Sequence, residues 1–300
     1  MSAILKTHKL TKRYGHFLSL DAVSITVNQG DIYGLIGRNG AGKTTLFKCV
    51  MGLAKPTDGT LTIGDSKDNL LVARQKIGFM INPSFFPYLN PKENLVYLCK
   101  VKGIKSEKEV ERLLDLVGLA GVKRSFKAFS LGMKQRLGIA GALLGSPDIV
   151  ILDEPINGLD PQGIMDMRMV IKDAYEQTGA TFIISSHILA ELDLVSTRFG
   201  FIEQGVLVKE ISHHELHVET QKSLVIEVDD VQKAQTALRS LGVEDAVVSG
   251  NRLILESHLE TSDQVARALI HHEVALYDLH RQETTLEEYF MRLVGGKQHA

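Results

Sequence analysis

The sequence predicts an α/β fold, a mixed sheet with flanking helices and an α-helical insert, followed by a small C-terminal α+β unit. Three observations predict it. A short apolar strand over 31–36 runs into Gly37-Arg38-Asn39-Gly40-Ala41-Gly42-Lys43-Thr44, and a helix-like segment over 44–51 follows at once. Two β-branched-rich runs, 149–152 and 181–185, are separated by a helix-like stretch over 161–177, so they read as strands of a βαβ unit buried on both faces. Beyond about residue 215 the pattern becomes strands and helices in the order βαββαβ plus a last helix, which suits a ferredoxin-like sandwich.

In chain order, residues 4–10 alternate apolar and polar, 23–27 form a second strand, and Asn28-Gln29-Gly30 turns the chain into the strand at 31–36. Gly37, Gly40 and Gly42 then let the backbone aim N–H groups at one point, where the N-terminus of the next helix adds partial positive charge. Polyphosphate is the ligand such a loop suits, with Lys43 reaching the β- and γ-phosphates and the Thr44 hydroxyl ligating Mg²⁺. A Gly-rich turn without a ligand is the other reading of these residues. A further strand lies between Gly59 and Gly64. From Pro91 to about Leu144 the pattern is helical: Val110, Leu113, Leu114 and Val117 share one stripe with charges opposite, and Gly118 ends it. This is the helical insert, at about 85–145.

The strand at 149–152 ends in Asp153-Glu154, and in open α/β sheets ligands bind beyond the carboxyl ends of the strands. Asp153 there suits Mg²⁺ held through water, and Glu154 suits the orientation or deprotonation of water attacking a γ-phosphate. Taken alone, the same two acids also read as solvated charges closing a strand.

Composition narrows the class. A chain of 300 residues with 44% hydrophobic content accommodates one large domain and a small one, and a net charge of −2 offers no electrostatic footprint for nucleic acid. Two cysteines, Cys49 and Cys99, argue against a disulfide framework or a zinc site. No apolar run is long enough to span a bilayer and the N-terminus lacks a signal-peptide layout, so the expectation is a cytoplasmic protein whose role at a membrane comes through a partner.

The motifs together resemble the ATP-binding subunit of an ABC transporter over about residues 3–215. Tyr14 matches the aromatic that stacks on adenine. Gly37–Thr45 matches Walker A, including Arg38, Asn39, Ala41 and Thr45, and residues 149–154 match Walker B with its catalytic glutamate. Phe129-Ser130-Leu131-Gly132-Met133 stands at the signature motif, Gly158-Leu159-Asp160 at the D-loop, and Ser186-His187 at the switch histidine. The resemblance implies a P-loop NTPase core of ABC type that binds ATP and Mg²⁺, with Lys43, Glu154 and His187 catalytic. It also implies two ATPs shared across a head-to-tail homodimer, where Ser130 and Gly132 meet the γ-phosphate of nucleotide held by the opposite subunit and Asp160 works across the interface. An integral membrane permease is the implied partner, and the inner face of the cell membrane the implied place of work.

Departures from the family pattern are informative. Leu131 and Met133 replace the usual Gly and Gln of the signature, while Ser130 and Gly132 remain. Asn82 stands where the family has a glutamine that touches Mg²⁺ and the attacking water; it is one methylene shorter but keeps the amide chemistry. The segments around Asn82 and the signature look most like the bacitracin and lantibiotic-resistance branch, which implies export of, or resistance to, antimicrobial peptides or another hydrophobic or peptide substrate. A soluble ABC ATPase acting on ribosomes or DNA is the competing class. Such relatives carry two cassettes or a long coiled coil, and the stretch from Lys43 to Ser130 is too short for one.

The C-terminal unit, 216–300, carries no ABC motif. His213-His214-Glu215-Leu216-His217 reads as polar helix and linker rather than a metal cluster. Expected elements are a strand over 224–228, a helix over 231–241, a hairpin of 246–248 with 252–255, a helix over 262–272, a strand over 274–279 and a helix over 284–293. Dimer support or regulation is its expected role.

Overall fold

Strand-forming runs and capped helices give the first of two units, Met1–His213, its layered build, and His214–Ala300 form the second. The structure, a computed structural model, describes residues 2–64, 66, 69–220, 222–243, 246–255, 261–283 and 286–295. The first unit opens with β1 (Ala3–Tyr14), β2 (Phe17–Val23), β3 (Thr26–Asn28), β4 (Ile32–Ile36), α1 (Lys43–Met51), β5 (Asp58–Ile63), α2 (Leu70–Arg74) and β6 (Ile77–Met80). It continues through α3 (Pro91–Lys102), α4 (Glu107–Leu116), α5 (Leu131–Leu143), β7 (Ile149–Asp153), α6 (Pro161–Thr178), β8 (Thr181–Ser186), α7 (Leu189–Asp193), β9 (Arg198–Glu203) and β10 (Val206–Ser212).

The central sheet has the order β10-β9-β4-β8-β7-β6, parallel except for the antiparallel edge strand β10. Strands β4 and β8 are buried at every position, as sheets covered on both faces require. The βαβ unit expected from the sequence is present, with β7 and β8 adjacent and parallel and α6 between them in the chain. A second, antiparallel sheet joins β1 to β2, β3 and β5. The single strand expected at 23–27 is divided there: Val23 ends β2, Thr26 starts β3, and between them Ile25 exchanges hydrogen bonds with the backbone and hydroxyl of Thr7. Sequence periodicity also missed β2, β9 and β10. Their apolar residues are interleaved with Ser19 and Asp21 in β2, Gly200 in β9 and Lys209 and Glu210 in β10; β2 and β10 are hairpin partners of β1 and β9, and only β9 pairs with a distant strand, β4.

The helical insert follows local signals. Asn90 and Glu93 form a capping box at α3 with Pro91 in the first turn, and Gly103, at φ 71°, ends the helix. Ser106 caps α4, whose Val110, Leu113 and Leu114 are buried. Helix α5 returns to the core by lying directly on β6, because a Cβ on Gly78 would collide with the Ala142 carbonyl and one on Gly138 with the Met80 sulfur.

The second unit comprises α8 (His213–Glu219), which begins at the boundary, then β11 (Lys222–Val228), α9 (Val231–Arg239), β12 (Val247–Ser249), β13 (Arg252–Leu255), α10 (Ser262–His271), β14 (Leu276–Glu283) and α11 (Leu286–Gly295). Its sheet order, β12-β13-β11-β14 with every pairing antiparallel, is that of the ferredoxin-like split βαβ. Leu224, Ile226 and Val228 from β11 share a core with Ala237 and Leu238 of α9 and Val265 and Leu269 of α10. The last strand begins two residues later than expected and runs to Glu283; residues 284 and 285, expected to open the final helix, lie outside the described residues.

Candidate active site

Strand β4 delivers the glycine-rich loop to the carboxyl end of the central sheet. A Cβ on Gly37 would strike the Ile202 carbonyl, so the loop can pass this close to β9 only as glycine. Gly40 and Gly42 lie at φ 84° and 110°, the left-handed region that side chains avoid, and Gly42 stands at the N-terminus of α1. The Ala41 carbonyl accepts the Gly205 N–H at 2.9 Å, tying the loop to the β9–β10 turn. Residues 38–45 line a cavity of about 310 Å³ with Phe17, Ser19 and Glu154.

Lys43 is 5% exposed, and its ammonium donates to the Gly37 carbonyl at 2.6 Å and lies 3.0 Å from Glu154 Oε1. The other Glu154 oxygen, Oε2, is 2.9 Å from His187 Nδ1. Glu154 therefore joins the loop lysine to the histidine beyond β8. Its backbone is left-handed, φ 50°, a conformation that costs a non-glycine residue roughly 1–2 kcal/mol and is kept where the surroundings over-determine it. The adjacent Asp153 accepts from the Thr44 hydroxyl through Oδ2 at 2.7 Å and from the Ser185 hydroxyl through Oδ1 at 2.6 Å. Thr45 accepts from the Ser19 hydroxyl at 2.8 Å.

The residues expected from Walker A, Walker B and the switch histidine thus converge on one place. Asn82 stands two residues beyond the carboxyl end of β6, which pairs with β7 in the register Met80↔Leu152; it is exposed and its backbone is left-handed, φ 46°. Ser130 caps α5, accepting the Met133 N–H at 3.3 Å, and Asp160 caps α6, accepting the Gly163 N–H at 2.9 Å. These two caps neighbour each other, since a Cβ on Gly158 would touch Leu131 and one on Gly132 would touch Leu159. They form a separate cluster from the Lys43–Glu154–His187 row. Tyr14 is 47% exposed and pairs with Phe17 across a two-residue turn, but the aromatic that lines the loop cavity is Phe17, 65% exposed. Phe17 and Ser185 escaped sequence reasoning: the first lies three residues past the motif aromatic, and the second is one serine of a buried strand whose register alone reveals its partner.

Oxygen donors, a buried ammonium and a glycine-rich loop running into the N-terminus of α1 make a site for a nucleoside polyphosphate and its divalent cation. The ABC transporter family profile matches residues 20–157. The bacitracin transport ATP-binding protein BcrA of Bacillus licheniformis is 40% identical over 303 residues, covering 99% of each chain. The lantibiotic transport ATP-binding protein SrtF of Streptococcus pyogenes is 41% identical over 209 residues, covering 69% of this chain and 90% of its own. Among solved structures, a dimeric post-hydrolysis ATP-binding cassette bound to ADP and Pi matches with a TM-score of 0.62 and 25% identity, over 70% of this chain and 98% of that one. The chain belongs to the ABC transporter family, as an ATP-binding and ATP-hydrolysing subunit.

Proposed function

We propose that this subunit powers a separate membrane permease that exports antimicrobial peptides of the bacitracin and lantibiotic kind, or confers resistance to them. The observation that carries the ATPase half is the placement of Glu154, held between Lys43 and His187 directly after Asp153. The loop amides and Lys43 bind the phosphates, and ATP entering the loop competes with Glu154 for the Lys43 ammonium. That competition frees a carboxylate oxygen to orient and deprotonate water, while His187 holds the other oxygen. The Thr44 hydroxyl and the Asp153 carboxylate are hard oxygen donors of the type Mg²⁺ takes, and the ion, when bound, offsets charge on the β- and γ-phosphates. Asn82 follows the carboxyl end of β6, at the same end of the sheet, and Tyr14 with Phe17 offers an aromatic surface for adenine.

The names of BcrA and SrtF support the peptide substrate. Among the described residues no helix is long and apolar enough to cross a membrane, and the transport ATP-binding role in the names of BcrA and SrtF supports work through a permease at the cytoplasmic face. Ser130, Gly132 and Asp160 complete the site of a second copy in a nucleotide-dependent homodimer. The test is complementation: cells lacking this chain receive either the wild type or Glu154→Gln, and survival in bacitracin and in a lantibiotic is measured beside the membrane proteins that co-purify. Wild type should restore survival, and the variant should co-purify with the same permease yet restore nothing. Equal survival with Glu154→Gln would remove the base assignment; no effect of losing the chain on either drug would remove the substrate class.

A further inference from the structure

We propose that Ser185 is a positioning residue for ATP hydrolysis, whose single hydroxyl fixes both strand-end acids, turning Asp153 toward the metal side and pinning the backbone of Glu154. The proposal rests on the roles given above to Asp153 and Glu154. Strands β7 and β8 pair in the register Asp153↔Ser185, which sets the serine beside the last residue of β7. There its hydroxyl donates to Asp153 Oδ1 at 2.6 Å and accepts the Glu154 N–H at 2.9 Å. A serine hydroxyl has one proton to donate, and here it goes to the carboxylate.

Two consequences follow from this arrangement. Asp153 is held from both sides, by Ser185 at Oδ1 and by Thr44 at Oδ2, so rotation of its carboxylate would break one bond or the other. Glu154, in its left-handed conformation, has two backbone bonds to hold it there: its N–H to Ser185 and its carbonyl to the Asn157 N–H at 3.2 Å. Ser185 is fully buried in the sheet, so water does not replace a lost hydroxyl without entering the core. The following serine is not equivalent, because Ser186 Oγ accepts the Ile188 N–H at 2.9 Å and shapes the turn that carries His187. Ser185 sets the acids and Ser186 sets the histidine turn.

The test pairs turnover with a binding measurement that does not depend on turnover. Steady-state ATPase is measured for the full chain and Ser185→Ala, and calorimetric ATP binding is measured for both in a Glu154→Gln background, with Mg²⁺ varied and with EDTA. Ser185→Ala should lower kcat about tenfold or more and raise the Mg²⁺ concentration for half-maximal ATP binding about tenfold, the range typical of partners behind a metal ligand. ATP affinity in EDTA should stay within about twofold, because the loop that binds phosphate is untouched. Near-isosteric Ser185→Cys, a weaker donor that keeps the strand packed, should shift both readouts the same way by less. A Ser185→Ala protein with kcat and Mg²⁺ requirement both within about twofold of wild type overturns the proposal. Parallel loss of turnover and metal-free ATP binding, the mark of general damage to the fold, also overturns it. If the alanine variant does not fold, wild-type behaviour of Ser185→Cys in both readouts is the overturning result. The Mg²⁺ arm reports on Ser185 even if Glu154 proves not to be the base, so the two readings fail separately.

Discussion

At the level of single residues, Asn82 separates two physical demands that the sequence superimposes. Its side chain has the amide chemistry of the family's glutamine, and its backbone is left-handed at φ 46°, a region Asn tolerates better than Gln. Although its side chain is exposed, Asn82→Ala places alanine in a left-handed conformation at a cost of about 1 kcal/mol, so thermal unfolding should fall by about 2–4 °C, and Asn82→Gly should not show this loss. If the amide contacts metal and water, the alanine variant should lose about tenfold in kcat and Asn82→Gly should lose as much. Recovery of turnover by Asn82→Gly alone would show that backbone conformation, not the amide, is what the site requires there. Lys43 with Thr44, and Asp153 with Glu154, were legible because each pair sits in its own short segment, where backbone geometry dictates the spacing. Ser185 and Phe17 were not, because a serine in a strand and an aromatic in a hairpin acquire their roles only from the register Asp153↔Ser185 and from the turn pairing Tyr14 with Phe17.

Among the elements, the tightest constraint is the contact of α5 on β6. A Cβ on Gly78 would collide with the Ala142 carbonyl, and one on Gly138 would meet Met80 and Pro83, the residues that flank the Asn82 segment. The helix that begins at Ser130 therefore bears on the loop that carries Asn82, with no side chain to act as a spacer. Gly78→Ala has to push helix and strand apart, and overpacking of this kind costs about 1–3 kcal/mol. In a unit of this size the thermal midpoint should fall by on the order of 3–10 °C, read by calorimetry. An unchanged midpoint would mean that α5 and β6 are not in van der Waals contact at that point. Helix starts have local capping residues: Asn90 with Glu93, Ser106, Ser130 and Asp160 all cap the helices they precede. Strand ends do not. The expected strand at 23–27 is broken between Val23 and Thr26, and the break comes from pairing with Thr7, which lies on another strand and leaves no local mark.

For the molecule as a whole, the question is whether one chain holds a complete site. Lys43, Glu154 and His187 form one cluster, and Ser130, Gly132 and Asp160 form another, in which the two hydroxyl and carboxylate groups cap their own helices. In the proposed homodimer each nucleotide lies between the first cluster of one copy and the second cluster of its partner, an isologous interface in which the same pair of patches meets twice under two-fold symmetry. Mixing is the decisive experiment. Ser130→Arg places a bulky cation at the head of α5 and spoils the second cluster, while Lys43→Ala spoils the first, so each homodimer should have no working site. A heterodimer of the two regains one site, built from the intact Lys43 of one copy and the intact Ser130 of the other. With random pairing of equal amounts, half of the dimers are mixed and each has one of two sites, so turnover should reach about a quarter of wild type. An equimolar mixture no more active than the two variants measured apart would mean that the clusters do not share a nucleotide, and substantial turnover by the Ser130→Arg homodimer would mean that the first cluster suffices by itself.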